Sequence, residues 1–260
     1  MGAFDEYSDR YAFARMTRRD GILELTLHTD GGPLIYSASI QRELGAALTG
    51  IALDSGNKVL ILTGCGDKFC ADFDLASFER IGALRSPQGW DEVMRNERRI
   101  LAALMDIPIP VIAAVNGPAT VHSQLAVLSD VVLAAETAYF QDTSHFSVGV
   151  VPGDGEHVTW LALLGVNRGR YFLLTEQKLS AAEAMALGVV NEVLAPERLL
   201  PRAWELAGKM ATLPPLTLRY ARTVLTSRLR RELDDGLVYG LALAGLSAID
   251  LVNNRTKSSE

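Results

Sequence analysis

Two histidines and an aspartate define the chemistry open to this chain. In Phe140–His157, FQDTSHFSVGVVPGDGEH, His145 and Asp154 stand nine residues apart among glycine, proline and serine. Residues nine apart are not helix neighbours, so only a loop folded back on itself brings them together. Once together, the Asp accepts from one ring nitrogen of the His and fixes its tautomer. The other nitrogen is then left to take a proton from water. A third group, His122, lies upstream in NGPATVHSQL. Each has a plainer use when taken alone. Asp154 precedes Gly155-Glu156-His157 at a helix start, where N-capping is the commonest role of an Asp. His145 suits a loop histidine bonded to a carbonyl, and His122 a histidine at a helix start.

The elements that must position these residues alternate between strand and helix. Ala12–Arg18 and Gly21–Thr29 read as a β-hairpin around Arg19-Asp20-Gly21, with His28 structural in its second strand. Ile40, Leu44, Ala47, Leu48 and Ile51 recur at helical spacing over Ser39–Leu53. Lys58–Thr63, Val111–Asn116 and Asp130–Ala134 are short apolar runs, suited to strands buried on both faces. Asp74–Glu79 starts a short helix. Trp90–Met105 reads as a long helix with Arg and Glu on one face, and Val121–Leu128 as helical. Glu156–Leu164 and Tyr171–Thr175 are helical around a turn at Gly165–Arg170. Ser180 and Glu183 form a capping-box pattern at the start of Ser180–Leu187, and Gly188–Val193 is strand-like. Leu199–Leu213, Leu216–Leu229 and Leu233–Val252 then read as three helices. Residues 1–11 read as a loose leader and NNRTKSSE as a frayed tail. The pattern is α/β, a core over residues 1–199 and a helical C-terminal subdomain over 200–260.

Composition narrows the partners. The chain has 260 residues, 48% hydrophobic, and a net charge of −6. Mean hydropathy is +0.15. The acidic balance argues against nucleic acid. The cluster in Arg219–Arg231 is followed at once by acids and reads as a mixed-charge solvated helix. No run approaches the roughly 20 uninterrupted apolar residues of a membrane helix, so the excess apolar surface points to a subunit interface. Cys65 and Cys70 lack zinc-site partners and make no disulfide framework, which suits a reducing, cytoplasmic compartment. MGAFDEYSDRY is not a signal peptide.

Several phrases resemble the crotonase (enoyl-CoA hydratase/isomerase) superfamily: KVLILTGCGDKFCADFDLASF, PVIAAVNGPA, SDVVLAAETAYF, GVVPGDG and LSAAEAMALGVVNEVLAPERLLPRAWELA. The resemblance spans roughly residues 12–250. It implies a spiral of ββα turns, with the C-terminal helices serving trimerisation, as a homotrimer or a dimer of trimers. Within the superfamily the chain departs from acyl-CoA enzymes. Their Ala-Gly-x-Asp is here Ala71-Asp72-Phe73-Asp74, and their glycine run after NG is Thr120-Val121-His122-Ser123. Gln124 and His145 stand about where the hydratase glutamates belong. The branch that His122, His145 and Asp154 match is that of 6-oxocamphor hydrolase and related β-diketone hydrolases. Against that branch, Tyr36 stands for a tryptophan, Gln41 for a histidine and Ala244 for a glutamate.

The resemblance implies a retro-Claisen cleavage of a cyclic or bicyclic β-diketone, needing neither metal nor cofactor. His145, oriented by Asp154, activates water; His122 donates to the diketone or oxyanion. Tyr36, Gln41, Ala71, Asp72 and Phe73 are the expected substrate-binding positions. Two other readings remain: an acyl-CoA hydratase or isomerase, and a crotonase-fold subunit without catalysis.

Overall fold

A hairpin opens the main sheet of the computed structural model, which describes residues 3–257. Strands β1 (Ala14–Arg19) and β2 (Ile22–Leu27) pair antiparallel. Asp20 and Gly21 between them both have positive φ, +53° and +83°. That geometry matches a two-residue turn to the twist of its strands.

From β2 the chain winds through repeated turns. The first passes the short β3 (Ile35–Tyr36) into α1 (Ala38–Leu53). The second holds β4 (Val59–Gly64), β5 (Asp72–Phe73), α2 (Leu75–Arg80) and α3 (Pro87–Asp106). The third holds β6 (Val111–Val115) and the short α4 (Gln124–Val127). The fourth holds β7 (Val131–Ala135), β8 (Tyr139–Phe140), α5 (Glu156–Leu164) and α6 (Val166–Thr175). Then come β9 (Leu179–Ser180), α7 (Ala181–Ala186), β10 (Glu192–Leu194), α8 (Pro196–Ala211) and α9 (Pro215–Lys257).

The long strands form one sheet in the order β1-β2-β4-β6-β7-β10, parallel except for β1. The short segments form a second layer. β3 pairs with β5, Cys70 bridges Ala119, Ala119 bridges Phe140, and β8 pairs with β9. Each turn thus supplies one strand to each layer before its helix, the expected ββα spiral. β4 and β6 are buried along their whole length, because α1 and α3 lie on one side of the sheet and α8 on the other. On the α8 side, Leu199, Ala203 and Ala207 pack with Ile61, Ile112 and Leu133. Truncating Leu199 to Ala there would cost about 2–5 kcal/mol. α8 runs through residue 200, so the 199/200 division falls inside a helix that covers the sheet.

Several local expectations change. The expected leader, whose Met1 and Gly2 lie outside the described residues, is anchored at the rest: Tyr7 and Tyr11 are buried, and the Tyr7 hydroxyl donates to Asp54 at 3.0 Å. Burial first, with Asp54 adding to it, pushes that phenol up to about 12. Val166–Arg170 is helical rather than a turn, since Gly165 alone breaks the chain between α5 and α6. The two last helices are one, 43 residues long. No glycine or proline interrupts Arg228–Asp235, and Leu229, Leu233 and Leu237 hold one face across the junction. By length and composition alone α9 could cross a membrane, yet it packs against α3 and α5. The tail is helical through Lys257, and Ser258–Glu260 lie outside the described residues. Arg222 is not solvated: it bonds Asp130 at 2.8 Å and the carbonyls of Leu104, Met105 and Ile107. It thereby satisfies the open carbonyls at the end of α3.

Candidate active site

A cavity of about 310 Å³ lies between α3, α9 and the loops that carry Ala71, His122 and His145. His122 enters it from the segment after β6. Thr120 and Val121 both donate to the Cys70 carbonyl, at 2.9 and 3.1 Å. The chain then turns through His122 at φ +49°. A left-handed histidine costs about 1–3 kcal/mol and persists only where its surroundings hold it. It also explains why α4 starts at Gln124 and not at Val121: a left-handed residue cannot belong to an α-helix. The ring packs on Tyr36, centroids 4.1 Å apart.

His145 is held at both nitrogens. Nδ1 lies 2.8 Å from Asp142 Oδ1, and Nε2 lies 3.5 Å from Asp154 Oδ2. The orienting carboxylate is therefore Asp142, and Asp154 faces the nitrogen expected to be free. The same Asp154 Oδ2 lies 3.4 Å from His122 Nδ1, so one carboxylate oxygen faces both imidazoles. Asp154 is not a helix cap, since Gly155 occupies that position without a side-chain bond. Its neighbours are glycines for steric reasons. A Cβ on Gly153 would stand 2.0 Å from the Gly240 carbonyl of α9, and Gly155 has φ +109°. His157 fastens the same loop, its ring nitrogens 3.1 Å from the Pro152 carbonyl and 3.3 Å from that of Gly236.

The two histidines are driven apart electrostatically. Burial dominates at His122 and lowers it to about 4 despite Asp154, so the ring is neutral. Burial also opposes charge on His145, but Asp154 and then Asp142 outweigh it and raise it to about 10. Asp154 is held below the usual carboxylate range: burial opposes this, and His145 and His122 overcome it. Gln124 Nε2 lies 3.0 Å from His122 Nδ1; with the amide in this orientation Nδ1 accepts, and the proton of the neutral ring is on Nε2. The same amide reaches the Asp154 carbonyl at 3.3 Å.

The expected binding residues divide. His122, His145, Asp154, Gln41, Ala71 and Phe73 line the cavity. Tyr36 does not; it is fully buried behind His122 and backs its ring. Asp72 also falls away from the cavity, because Lys68 draws it into an ion pair at 2.8 Å. Two acids were missed. Asp142 had a signal, an Asp three residues before a histidine. Glu97 had one too: it shares a face with Val93, Ile100, Leu101 and Leu104, so it is not on the polar face expected for α3. It is 1% exposed and lines the cavity. Burial, with Asp154 adding to it, holds Glu97 well above the usual carboxylate range. Glu97, His122 and Asp154 present ligand-type atoms within 4.8 Å of one another. The Gln124 amide, however, occupies the Nδ1 lone pair that a metal would require.

The enoyl-CoA hydratase/isomerase family model matches residues 17–243. The chain belongs to the enoyl-CoA hydratase/isomerase family. Among family members with curated descriptions, the crotonyl-CoA hydratase of Syntrophomonas wolfei is 30% identical over 209 residues, covering 78% of this chain and 78% of that protein. Among solved structures, a β-diketone hydrolase from the cyanobacterium Anabaena sp. PCC 7120, bound to (S)-3-oxocyclohexyl acetic acid, is 44% identical with a TM-score of 0.92. It covers 95% of this chain and 98% of that one. An enoyl-CoA hydratase/isomerase from Mycobacterium paratuberculosis is 26% identical with a TM-score of 0.85, covering 95% and 99%. The fold and the family membership together make this a crotonase-fold enzyme.

Proposed function

We propose that the protein hydrolyses a carbon–carbon bond of a cyclic β-diketone by a retro-Claisen reaction. The observation that carries this reading is the carboxylate of Asp154 set between His145 and His122 at the cavity wall. Water placed there meets a base and a cation together, with the neutral His122 ring beside them. The pair expected to activate water is kept, but its members exchange parts. His145 is already protonated at neutral pH, so the Asp154 carboxylate accepts the water proton. The His145 imidazolium stabilises the alkoxide formed when hydroxide adds to one carbonyl. A preorganised donor of that kind is worth about 2.7–4 kcal/mol of barrier. His122, neutral with its proton on Nε2, donates to the second carbonyl, which takes up the electrons as the carbon–carbon bond breaks.

The relative from Anabaena supports the substrate class. An oxocyclohexyl acetic acid is what water makes of a bridged bicyclic 1,3-diketone: one carbonyl becomes the carboxyl of a side arm and the other stays in the ring. The cavity, about 310 Å³, is at the lower end of the usual size for small-molecule sites. The family model and its acyl-CoA relatives favour a second reading, hydration or isomerisation of an acyl-CoA. Against it stands His122, where a small residue would let a backbone N–H approach a thioester oxygen. One experiment separates them. Purified protein is mixed in parallel with bicyclic 1,3-diketones and with crotonyl-CoA, and ultraviolet absorbance and products are followed. Diketone loss with formation of a keto acid is expected. Turnover of the thioester alone would replace this reading with the second, and turnover of neither would favour a subunit without catalysis.

The apolar stripe Leu216, Tyr220 and Val224 on α9, with exposed Leu225 and Tyr239, supports burial between subunits of a homotrimer or a dimer of trimers. Sedimentation equilibrium tests this, and a monomer at micromolar concentration would contradict it. The free thiols Cys65 and Cys70 fit a cytoplasmic setting.

A further inference from the structure

Cleavage leaves an enolate that must be protonated at carbon, and Asp154 and the two histidines are already committed to water and to the two oxygens. Glu97 stands on α3 at the cavity wall. Gln41 Nε2 donates to its Oε2 at 3.2 Å and fixes the carboxyl plane. The other oxygen, Oε1, is buried without a hydrogen-bond partner. It lies 3.6 Å from His122 Nδ1, the atom that is 3.4 Å from Asp154 Oδ2. A carboxyl group orphaned at one oxygen, beside the histidine that holds the enolate, is placed to serve the adjacent carbon.

We propose that Glu97, held by Gln41, is the acid that delivers the proton to the enolate carbon. This rests on the diketone reading above. Burial and the nearby Asp154 raise the group well above the usual carboxylate range, which favours the protonated form a donor requires. The proton balance closes. Water gives its hydroxide to the acyl carbon and its proton to Asp154. The broken carbon–carbon bond leaves its electron pair in the enolate, whose carbon takes the proton of Glu97. His122 Nδ1 then gives up the Gln124 bond, takes the proton from Asp154 and passes it to Glu97. Diketone and water become a keto acid, and every side chain is restored.

The test uses a bicyclic diketone whose carbon between the carbonyls bears a methyl group. Protonation there creates a stereocentre, so the product reports which side supplied the proton. Wild type is expected to give one diastereomer. Glu97→Gln keeps the shape and the Gln41 contact without an acidic proton. It should lower kcat about 100-fold or more, the low end for a lost acid or base, and give a mixture of diastereomers as water replaces the donor. Glu97→Asp should retain the stereochemistry at an intermediate rate, and it separates loss of the acid from loss of structure. Wild-type kcat and a single diastereomer in Glu97→Gln would overturn the role of Glu97 alone. No turnover by wild type would overturn the diketone reading and this role with it.

Discussion

Replacing Asp142 by Asn tests whether His145 works as a cation or as a free base. Asp142 Oδ1 lies 2.8 Å from His145 Nδ1 and also accepts from the Ser144 amide at 3.1 Å. The amide oxygen of Asn can take both bonds, so the change removes charge and little else. A buried hydrogen bond is worth about 1.5–3 kcal/mol to a charged group and about 0.5–1.5 kcal/mol to a neutral one. At 1.36 kcal/mol per pH unit, losing that difference moves the His145 titration down by about one pH unit from about 10. If the imidazolium is the working form, the alkaline limb of kcat against pH moves down by that amount, and the rate near neutrality changes little. If neutral His145 were the base, the same substitution would expose more free base at neutral pH and raise the rate there. A limb that stays near its wild-type position, or an activated variant at neutral pH, refutes the assignment. Stability gives a second readout. A histidine raised by folding contributes stability in full below its unfolded pKa of about 6.5, and loses it as pH rises through the folded value. The melting-temperature deficit of Asp142→Asn is therefore largest from mildly acidic to neutral pH and vanishes above about pH 10.

Other outcomes follow from the same geometry. Asp154→Asn should cut kcat by about 10²–10⁴, read as diketone consumption at saturating substrate, since the amide cannot accept the water proton. His122→Gly and His122→Ala should both lose activity for want of the Nε2 donor, yet differ in stability. Only glycine adopts φ +49° without strain, so the glycine variant should be more stable by about 1 kcal/mol in urea unfolding. Gly153→Ala should lower both melting temperature and activity, by about 1–3 kcal/mol in stability, because its Cβ would meet the Gly240 carbonyl and push the Asp154 loop off α9.

The strands and most helices were legible because burial on both faces leaves apolar runs and single-faced burial leaves helical periodicity. Lys58–Thr63 and Glu156–Leu164 correspond to β4 and α5 within a residue. The charged stretch Arg228–Asp235 resembles a loop between two helices; it is instead the exposed side of α9, whose apolar face continues through it. That His122, His145 and Asp154 meet at one cavity was legible, and their connections were not. Which carboxylate meets which ring nitrogen depends on a loop folding through glycines, and Asp142 at three residues and Asp154 at nine are equally plausible on spacing. Glu97 was hidden by its company. An acid in a helix rich in Arg and Glu reads as surface, and only its register with Val93 and Leu101 places it inside. Tyr36 and Asp72 failed as wall residues for local reasons: one lies behind a ring, and the other is claimed by Lys68.

Leu241, Ala244, Ala248 and Leu251 project from α9 onto the cavity at intervals of three or four residues. Glu97, His122, Asp142, His145 and Asp154 are carried elsewhere, on α3 and the loops. On the diketone reading, bond breaking and ring selection fall on separate stretches of chain. Substitutions along one helical face would then reshape the space offered to a ring while the acids and imidazoles keep their places in the chain, and a lineage built this way could change its substrate one α9 residue at a time.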